Sequence, residues 1–539
     1  MGAYLRIAGL ISVLLIFFLG GDTPQGLAMP VAQPFQENRV WVHYMPQLPS
    51  YNPDPTTPFY GALYPLRLGY SSPRNIDEIV LMQASGVNAV QLLEFPDEDN
   101  TGVLNSWFSA ADQHPGFAVA PCITQETEDQ AVNMVETYAS IAANYKSAAK
   151  ENGKLVIFTY GARYGKTPDF WVNVRQRLQS ENIDTYFIND IGANLAVEGG
   201  LKPNLVVPYF PVFDASYTFD DYLAGYFNDV DLLFKYYNQL YAGGIMPGYD
   251  RTTPGGGYVD AQATQVYRSQ WEASLAAGLH VQTINTWNDY TEHTMIRPSS
   301  DWNWTLADIT SFYSTKLRNV PFLNQSSKLY ITTPQATYLG ETPLVEGLIL
   351  NLSSSKMTLK LKLFDGKGKS YGKVLSVVVP AYYAGAVSNL NNWIINSFPA
   401  QHFLRAKAEM YNSAGKLVQQ VTSAPILVYV PKDLAAPDPQ RILYYSIPAA
   451  RALPGTVQLS LTGNASSSGG NAKASVTPPA GTKVRFAEVL QNTVQVKNMF
   501  DQAPYTTPVQ LTNGFYVARV IDEQERVGYS DPKEMSARN

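Results

Sequence analysis

From about residue 40 to residue 317, short apolar runs alternate with stretches whose apolar residues recur at helical spacing. This alternation constrains the fold more than any other feature, because the two periodicities belong to different elements. Ala131, Met134, Val135, Tyr138, Ile141, Ala142 and Tyr145 share one helical face; Asn152-Gly153 stops the pattern, and Leu155-Val156-Ile157-Phe158-Thr159-Tyr160 follows as a buried strand. Ile76, Ile79 and Val80 lead in the same way through Gly86 to Ala89-Val90-Gln91-Leu92-Leu93. Ala263, Val266, Tyr267, Gln270 and Trp271 form a third face, closed by Gly278 before Val281-Gln282-Thr283-Ile284-Asn285. Strands are expected near residues 40–44, 89–94, 117–123, 155–160, 185–189, 205–209, 244–247 and 281–286. Repeated strand–helix units require a parallel sheet, and ~280 residues is the size of a (β/α)8 TIM barrel. No clear helix separates the fifth and sixth strands, so an open doubly wound sheet remains the alternative.

After residue 326 the period changes. Leu359, Leu361 and Leu363 alternate with Lys360 and Lys362, a strand with one buried face, and Asp365-Gly366 supplies a turn. Asn412-Ser413-Ala414-Gly415 marks a second hairpin, and the Ser-, Asn- and Gly-rich stretch 463–470 reads as an exposed loop. Segments of ~100 residues suit β-sandwich modules of the immunoglobulin-like kind. The expected division is a barrel at 36–325, a sandwich at 326–436 and a second at 437–539.

Residues 7–19 form an apolar run behind Arg6, and Gly26-Leu27-Ala28 offers small residues for cleavage. That is the pattern of a secretory signal peptide over residues 1–28, too short to span a bilayer, and it predicts a secreted or periplasmic protein with no integral membrane segment after cleavage. The formal charge is −6 over 539 residues, without a long basic run, which argues against nucleic acid as a partner. One cysteine, Cys122, excludes an intramolecular disulfide framework and a multi-cysteine zinc site. The run Asp97-Glu98-Asp99 resembles the start of a calcium loop but has Phe108 at its twelfth position, where Glu is required, so no metal site is assigned.

In a barrel, reacting groups sit where strands end and loops begin. His43 and Tyr44 close the first strand, Glu94 the second, Asp190 follows the fifth, and Tyr249-Asp250-Arg251 follow the seventh. The eighth runs into Trp287-Asn288-Asp289-Tyr290-Thr291-Glu292-His293. Two carboxylates and flat rings on one face are what glycoside cleavage uses. Asp289 and Glu292 are the candidate catalytic pair, with Trp287 and Tyr290 as stacking surfaces. His43, Tyr44, Glu94, Asp190, Tyr249, Asp250, Arg251 and Asn288 join Trp287 and Tyr290 as substrate-binding candidates, and His293 reads as a loop residue. The two acids can equally cap a following helix, and His43 can equally be a satisfied core histidine.

Thr286-Trp287-Asn288-Asp289-Tyr290-Thr291-Glu292 resembles the Trp-Asn-Asp-Tyr-Gly-Glu segment of glycoside hydrolase family 71, the endo-1,3-α-glucanases. Trp41-Val42-His43-Tyr44-Met45 is similar to that family's first strand. The stretch through Ile296-Arg297-Pro298 also resembles the Trp-Asn-Glu-Trp-x-Glu-Gly segment of family 99, whose members act on α-mannosides. The resemblance covers about the first 320 residues and not the β-rich tail. It implies a (β/α)8 barrel acting on an α-linked polysaccharide without a cofactor. In it Asp289 is the base or the contact to the sugar 2-hydroxyl, and Glu292 the proton donor. Thr291 stands where family 71 has Gly, and Asn88 where it has an acid. A non-catalytic glycan-binding or surface-structural protein on an inactive barrel therefore stays open.

Overall fold

The computed structural model describes residues 34–46, 72–94, 100–124, 126–192, 201–219, 224–250, 257–322, 325–389, 393–430, 442–463, 470–492, 495–500, 503–511 and 514–535. The leader at 1–28, the acidic run at 97–99 and Arg251 lie outside the described residues.

Eight strands form one parallel series: β1 Arg39–Tyr44, β2 Ala89–Glu94, β3 Ala118–Ile123, β4 Lys154–Thr159, β5 Thr185–Asp190, β6 Ala215–Tyr217, β7 Leu240–Tyr241 and β8 Val281–Ile284. From β1 to β7 each pairs with the next, and β8 pairs with β1. The last gap closes through a parallel bridge between Ile245 and Ile284, with Ile245 N donating to Thr283 O at 3.0 Å. The connections are helical: α1 Ser72–Ala84, α2 Asn100–Ala111, α3 Glu128–Ala142, α4 Pro168–Ser180, the short α5 Pro203–Val206, α6 Ala224–Tyr236, α7 Gln265–Ala277 and α8 Thr305–Leu317. This is a (β/α)8 barrel.

Residue alternation along each strand sorts the wall into two faces. Val40, Val42, Val90, Leu92, Val119 and Ile157 pack outward against the helices. Trp41, Ala89, Ala118, Ala120, Val156, Phe158 and Tyr217 fill the interior. Trp41 meets Phe158 edge-on at 4.9 Å, and Phe158 meets Tyr217 at 5.6 Å, contacts between non-neighbouring strands that a barrel interior permits. α3 starts where the sequence gives it a capping box: Thr127 accepts from Gln130 N, and the Gln130 side chain returns to the Thr127 backbone.

The sixth strand corrects the expectation. Residues 205–209 belong to α5 and to the 3-10 turn Val207–Val212, and the strand is Ala215–Tyr217. Pro208 and Pro211 lack the N–H a ladder needs, so the apolar run becomes a short helical connection that buries Val206, Phe210 and Val212. The seventh strand pairs at Leu240–Tyr241, just before the expected 244–247, and the chain then passes very close to β6. A Cβ on Gly244 would lie 2.0 Å from the Thr218 carbonyl oxygen. Gly244→Ala is therefore expected to cost about 1–3 kcal/mol, read as a lower urea midpoint.

The tail is two further two-sheet units. In the first, Lys328–Pro334 lies between Glu346–Leu350 and Tyr444–Pro448, with Ala384–Ser388 outside, and faces a six-stranded sheet around Met357–Asp365 and Phe403–Tyr411. The Met357–Asp365 strand buries every second residue from Leu359. Tyr444–Pro448 lies past the boundary expected at 436, yet it completes the sheet of the first unit. In the second, strands Gln458–Gly463, Gly470–Thr477 and Thr506–Leu511 face a sheet containing Val484–Gln491 and Gly514–Asp522.

Both tail units meet the barrel at residues 299–305. Asp301 O accepts from Ser446 N at 2.7 Å, and Thr305 bonds the Ser446 hydroxyl at 2.8 Å. From the second unit, Arg519 donates to the Asp301 carboxylate and to Glu488 Oε2, the latter at 2.7 Å. Glu525 accepts from Trp304 Nε1 at 2.7 Å. Among the described residues, no helix is long and apolar enough to cross a membrane.

Candidate active site

The loop after β8 is held at both ends. Thr286 N donates to Thr294 O at 3.0 Å, Ile296 N to Thr286 O at 3.0 Å, and Arg297 N to Trp287 O at 3.0 Å. Trp287 N donates to His43 O at 2.8 Å, fastening the loop to β1. Asn288 adds a second fastening: its Oδ1 accepts from Met45 N and its Nδ2 donates to Met45 O, both at 2.9 Å. Between these ties, residues 289–293 stand out at the C-terminal end of the barrel.

Asp289 is 2% exposed, and its Oδ1 holds the turn. It accepts from Thr291 N at 2.9 Å, from the Thr291 hydroxyl at 2.6 Å and from Glu292 N at 3.0 Å. Thr291 thus supplies a hydroxyl the turn uses. No helix begins here; the next is α8 at Thr305. Asp289→Ala is expected to lower stability by about 1–3 kcal/mol, whereas Asp289→Asn, which keeps an acceptor oxygen, leaves the denaturation midpoint nearly unchanged.

Glu292 is half-buried, and its Oε1 accepts from the Tyr249 hydroxyl at 3.0 Å. Its carbonyl oxygen accepts from Asp250 N at 2.9 Å, joining the loops after β7 and β8. His293 stands next to this pair, with Nδ1 3.6 Å from Asp250 Oδ2. Glu292, Tyr249, Asp250 and His293 are therefore one polar group at the barrel mouth. His293 carried no role in the sequence reading.

Other expected site residues have different work. Trp287 and Tyr290 are buried and do not offer stacking faces to a cleft. Trp287 Nε1 donates to Glu78 Oε2 at 2.8 Å, Arg297 donates to both Glu78 oxygens at 2.7 and 3.0 Å, and Arg297 Nη1 reaches the Tyr290 hydroxyl at 3.3 Å. Both rings lie against the ion pair that the buried Arg297 makes with the half-buried Glu78, between α1 and the loop. Tyr44 points outward, its ring edge-on to Trp107 at 4.7 Å. Asp190 receives backbone N–H groups from Gly161, Gly192 and Phe219 at 3.3, 2.7 and 3.1 Å, tying together the loops after β4, β5 and β6. Glu94 is fully buried at the end of β2.

His43 is fully buried inside the barrel beside Gln91, under the Phe219 ring at 5.0 Å and the Tyr160 ring at 6.1 Å. Burial lowers its pKa to about 3, against the opposing pull of Gln91. The imidazole is thus neutral, and the unfolded chain takes up the proton first. Stability from this group is complete above pH about 6.5 and is lost as pH falls toward about 3. The stability advantage of wild type over His43→Gln should shrink on acidification by at most about 1.4 kcal/mol per pH unit, measured as urea midpoints between pH 7 and pH 4. Cys122 lies in the same interior, 3.9 Å from the Tyr217 hydroxyl, and burial pushes its thiol up.

Asn88 also has a clear place. It precedes β2, at the opposite end of the barrel from the mouth, and its Oδ1 accepts from Val40 N at 2.8 Å. An acid missing there removes nothing from the Glu292 group. Glu78 and Arg297 went unnoticed because they are 219 residues apart and only the folded chain joins them. Among the described residues, no group of three or more His, Cys, Asp or Glu is placed to hold a metal ion.

No protein-family model matches the chain, and no curated protein matches it. Several solved structures match the chain distantly. A GH99 endo-α-mannosidase from Bacteroides thetaiotaomicron is 14% identical, with a TM-score of 0.44 over 52% of this chain and 98% of its own. An exo-chitosanase from Amycolatopsis orientalis is 11% identical, with a TM-score of 0.29 over 89% of this chain and 64% of its own. A cyclic α-maltosyl-(1→6)-maltose hydrolase from Arthrobacter globiformis is 9% identical, with a TM-score of 0.30 over 65% of this chain and 98% of its own.

Proposed function

We propose that this chain is a glycoside hydrolase cleaving an α-linked polysaccharide, with 1,3-α-glucan the first candidate and α-mannan the second. The observation that carries the reading is Glu292. It is a half-buried carboxyl at the mouth of a parallel barrel, held by the Tyr249 hydroxyl at 3.0 Å on a loop tied at both ends. In this mechanism Glu292 protonates the glycosidic oxygen as the bond to the anomeric carbon breaks. Water adds its hydroxyl to that carbon and gives its remaining proton to a carboxylate. Asp289 acts through Oδ2, on the water or on the neighbouring sugar hydroxyl, since Oδ1 serves the turn. The reaction needs no cofactor. The apolar run at residues 7–19 followed by Gly26-Leu27-Ala28 supports export from the cytoplasm, which N-terminal sequencing of the exported protein tests.

The commitment of Asp289 to its turn favours a second reading, a glycan-binding barrel without catalysis. Reducing-sugar release from 1,3-α-glucan, other α-glucans and α-mannan separates the two. Release from at least one is expected; binding without release from any would leave the second reading.

A further inference from the structure

An open cleft lies beside the Glu292 group, and its two walls come from different parts of the chain. One wall is the strand pair Tyr249–Asp250 and Tyr258–Val259, with His293 and Trp302 from the loop after β8. The other wall is Ile442, Leu443 and Tyr444, where the chain enters the last strand of the first β unit. The seam is hydrogen-bonded, not merely in contact. The Tyr258 hydroxyl donates to Ile442 O at 2.8 Å and accepts from Ile442 N at 2.9 Å. The Tyr444 hydroxyl donates to Asp260 Oδ1 at 3.0 Å.

The half-buried Tyr249 and Tyr258 line the cleft, and the buried rings of Trp302 and Tyr444, 6.3 Å apart, lie behind them. The polar groups in the same space are the Asp250 carboxyl and the His293 imidazole. Aromatic surface with a few convergent polar groups is the chemistry that holds a neutral sugar ring, whose faces are apolar and whose rim is hydroxyl. Tyr249 is shared: it lines the cleft and holds Glu292.

We propose that this cleft is a glycosyl-binding subsite built jointly by the barrel and the first β unit, and that it takes a sugar of the substrate chain away from the reacting bond. The inference rests on the glycoside hydrolase reading for the identity of the ligand. It gives the β unit a direct part in substrate binding: the unit is a wall of the site.

The test uses the whole chain and two variants, Ile442→Glu on the β-unit side and Val259→Glu on the barrel side. Probes are α-1,3-gluco-oligosaccharides and α-manno-oligosaccharides of two to six units. Each Glu variant is expected to raise KM for the six-unit probe about tenfold, with little change for the two-unit probe. Unchanged KM for all lengths, or an equal rise at every length, would overturn the proposal. If wild type cleaves no probe, titration calorimetry decides. Six-unit binding that is lost in both Glu variants supports the cleft while the hydrolase reading fails; binding that persists in them, or is absent from wild type, overturns the cleft.

Discussion

Arg519→Ala is expected to destabilise the protein by about 3–5 kcal/mol, the largest stability effect of any single substitution considered. Arg519 is 2% exposed and lies between Glu488 and Asp301, which are buried as well. Its Nε donates to Glu488 at 2.7 Å and its Nη1 to the Asp301 carboxylate and to Ser300 O, the latter at 3.3 Å. Removing the guanidinium leaves two buried carboxyls facing each other without a cation. Burial already pushes the Asp301 carboxyl up, against the pull of Arg519. The loss should therefore shrink as pH falls and protonation neutralises the pair. Denaturation followed by tryptophan fluorescence checks this, because Trp304 sits at the same junction. Replacing all three residues with apolar ones of similar volume should recover much of the loss, since a buried ion group contributes little net stability over a well-packed apolar one. A midpoint for Arg519→Ala equal to wild type would mean that the second β unit is not docked in this way.

Glu292→Gln is expected to lower kcat by about 10²–10⁴-fold while KM changes little. Glutamine keeps the shape and can still accept from the Tyr249 hydroxyl, so the loop geometry persists and only the transferable proton is lost. Tyr249→Phe removes the hydrogen bond to Glu292 and should cost about tenfold or less. The ranking of the two separates a proton donor from a merely structural carboxyl. If Glu292 were structural, both variants would weaken the loop and neither would stand out in kcat. Wild-type turnover in Glu292→Gln would remove Glu292 from the chemistry.

Much of the barrel was legible because burial on both faces writes itself as unbroken apolar runs, as in Leu155-Val156-Ile157-Phe158, and amphipathic helices keep their period, as in α3. The sixth strand was illegible for a local reason: Leu205-Val206-Val207 is apolar enough for a strand, but the prolines at 208 and 211 decide otherwise. The site was legible only in outline. Strand ends pointed to the mouth and to Glu292, yet side-chain direction depends on partners remote in sequence. Nothing near Trp287 or Tyr290 announces that Glu78 and Arg297 will draw both rings into the wall. The spacing of Asp289 and Glu292 was visible, but the division of labour between them was not. Three donors within the turn settle on Asp289, and a tyrosine from the preceding loop settles on Glu292.

The pairing of Tyr444–Pro448 with Lys328–Pro334 has a consequence for how the chain can be shortened. A cut at residue 436, where length alone suggests a boundary, would strip the outer strand from a finished sheet. The five-residue register from Tyr330 to Pro334 would then be bare backbone, a raw edge that invites pairing with another molecule. The same cut would remove Ile442 and Tyr444, which Tyr258 and Asp260 grip from the barrel side. A trimmed protein of this kind should clump rather than behave as an independent barrel. Any smaller version meant to keep this sheet whole has to end beyond Pro448.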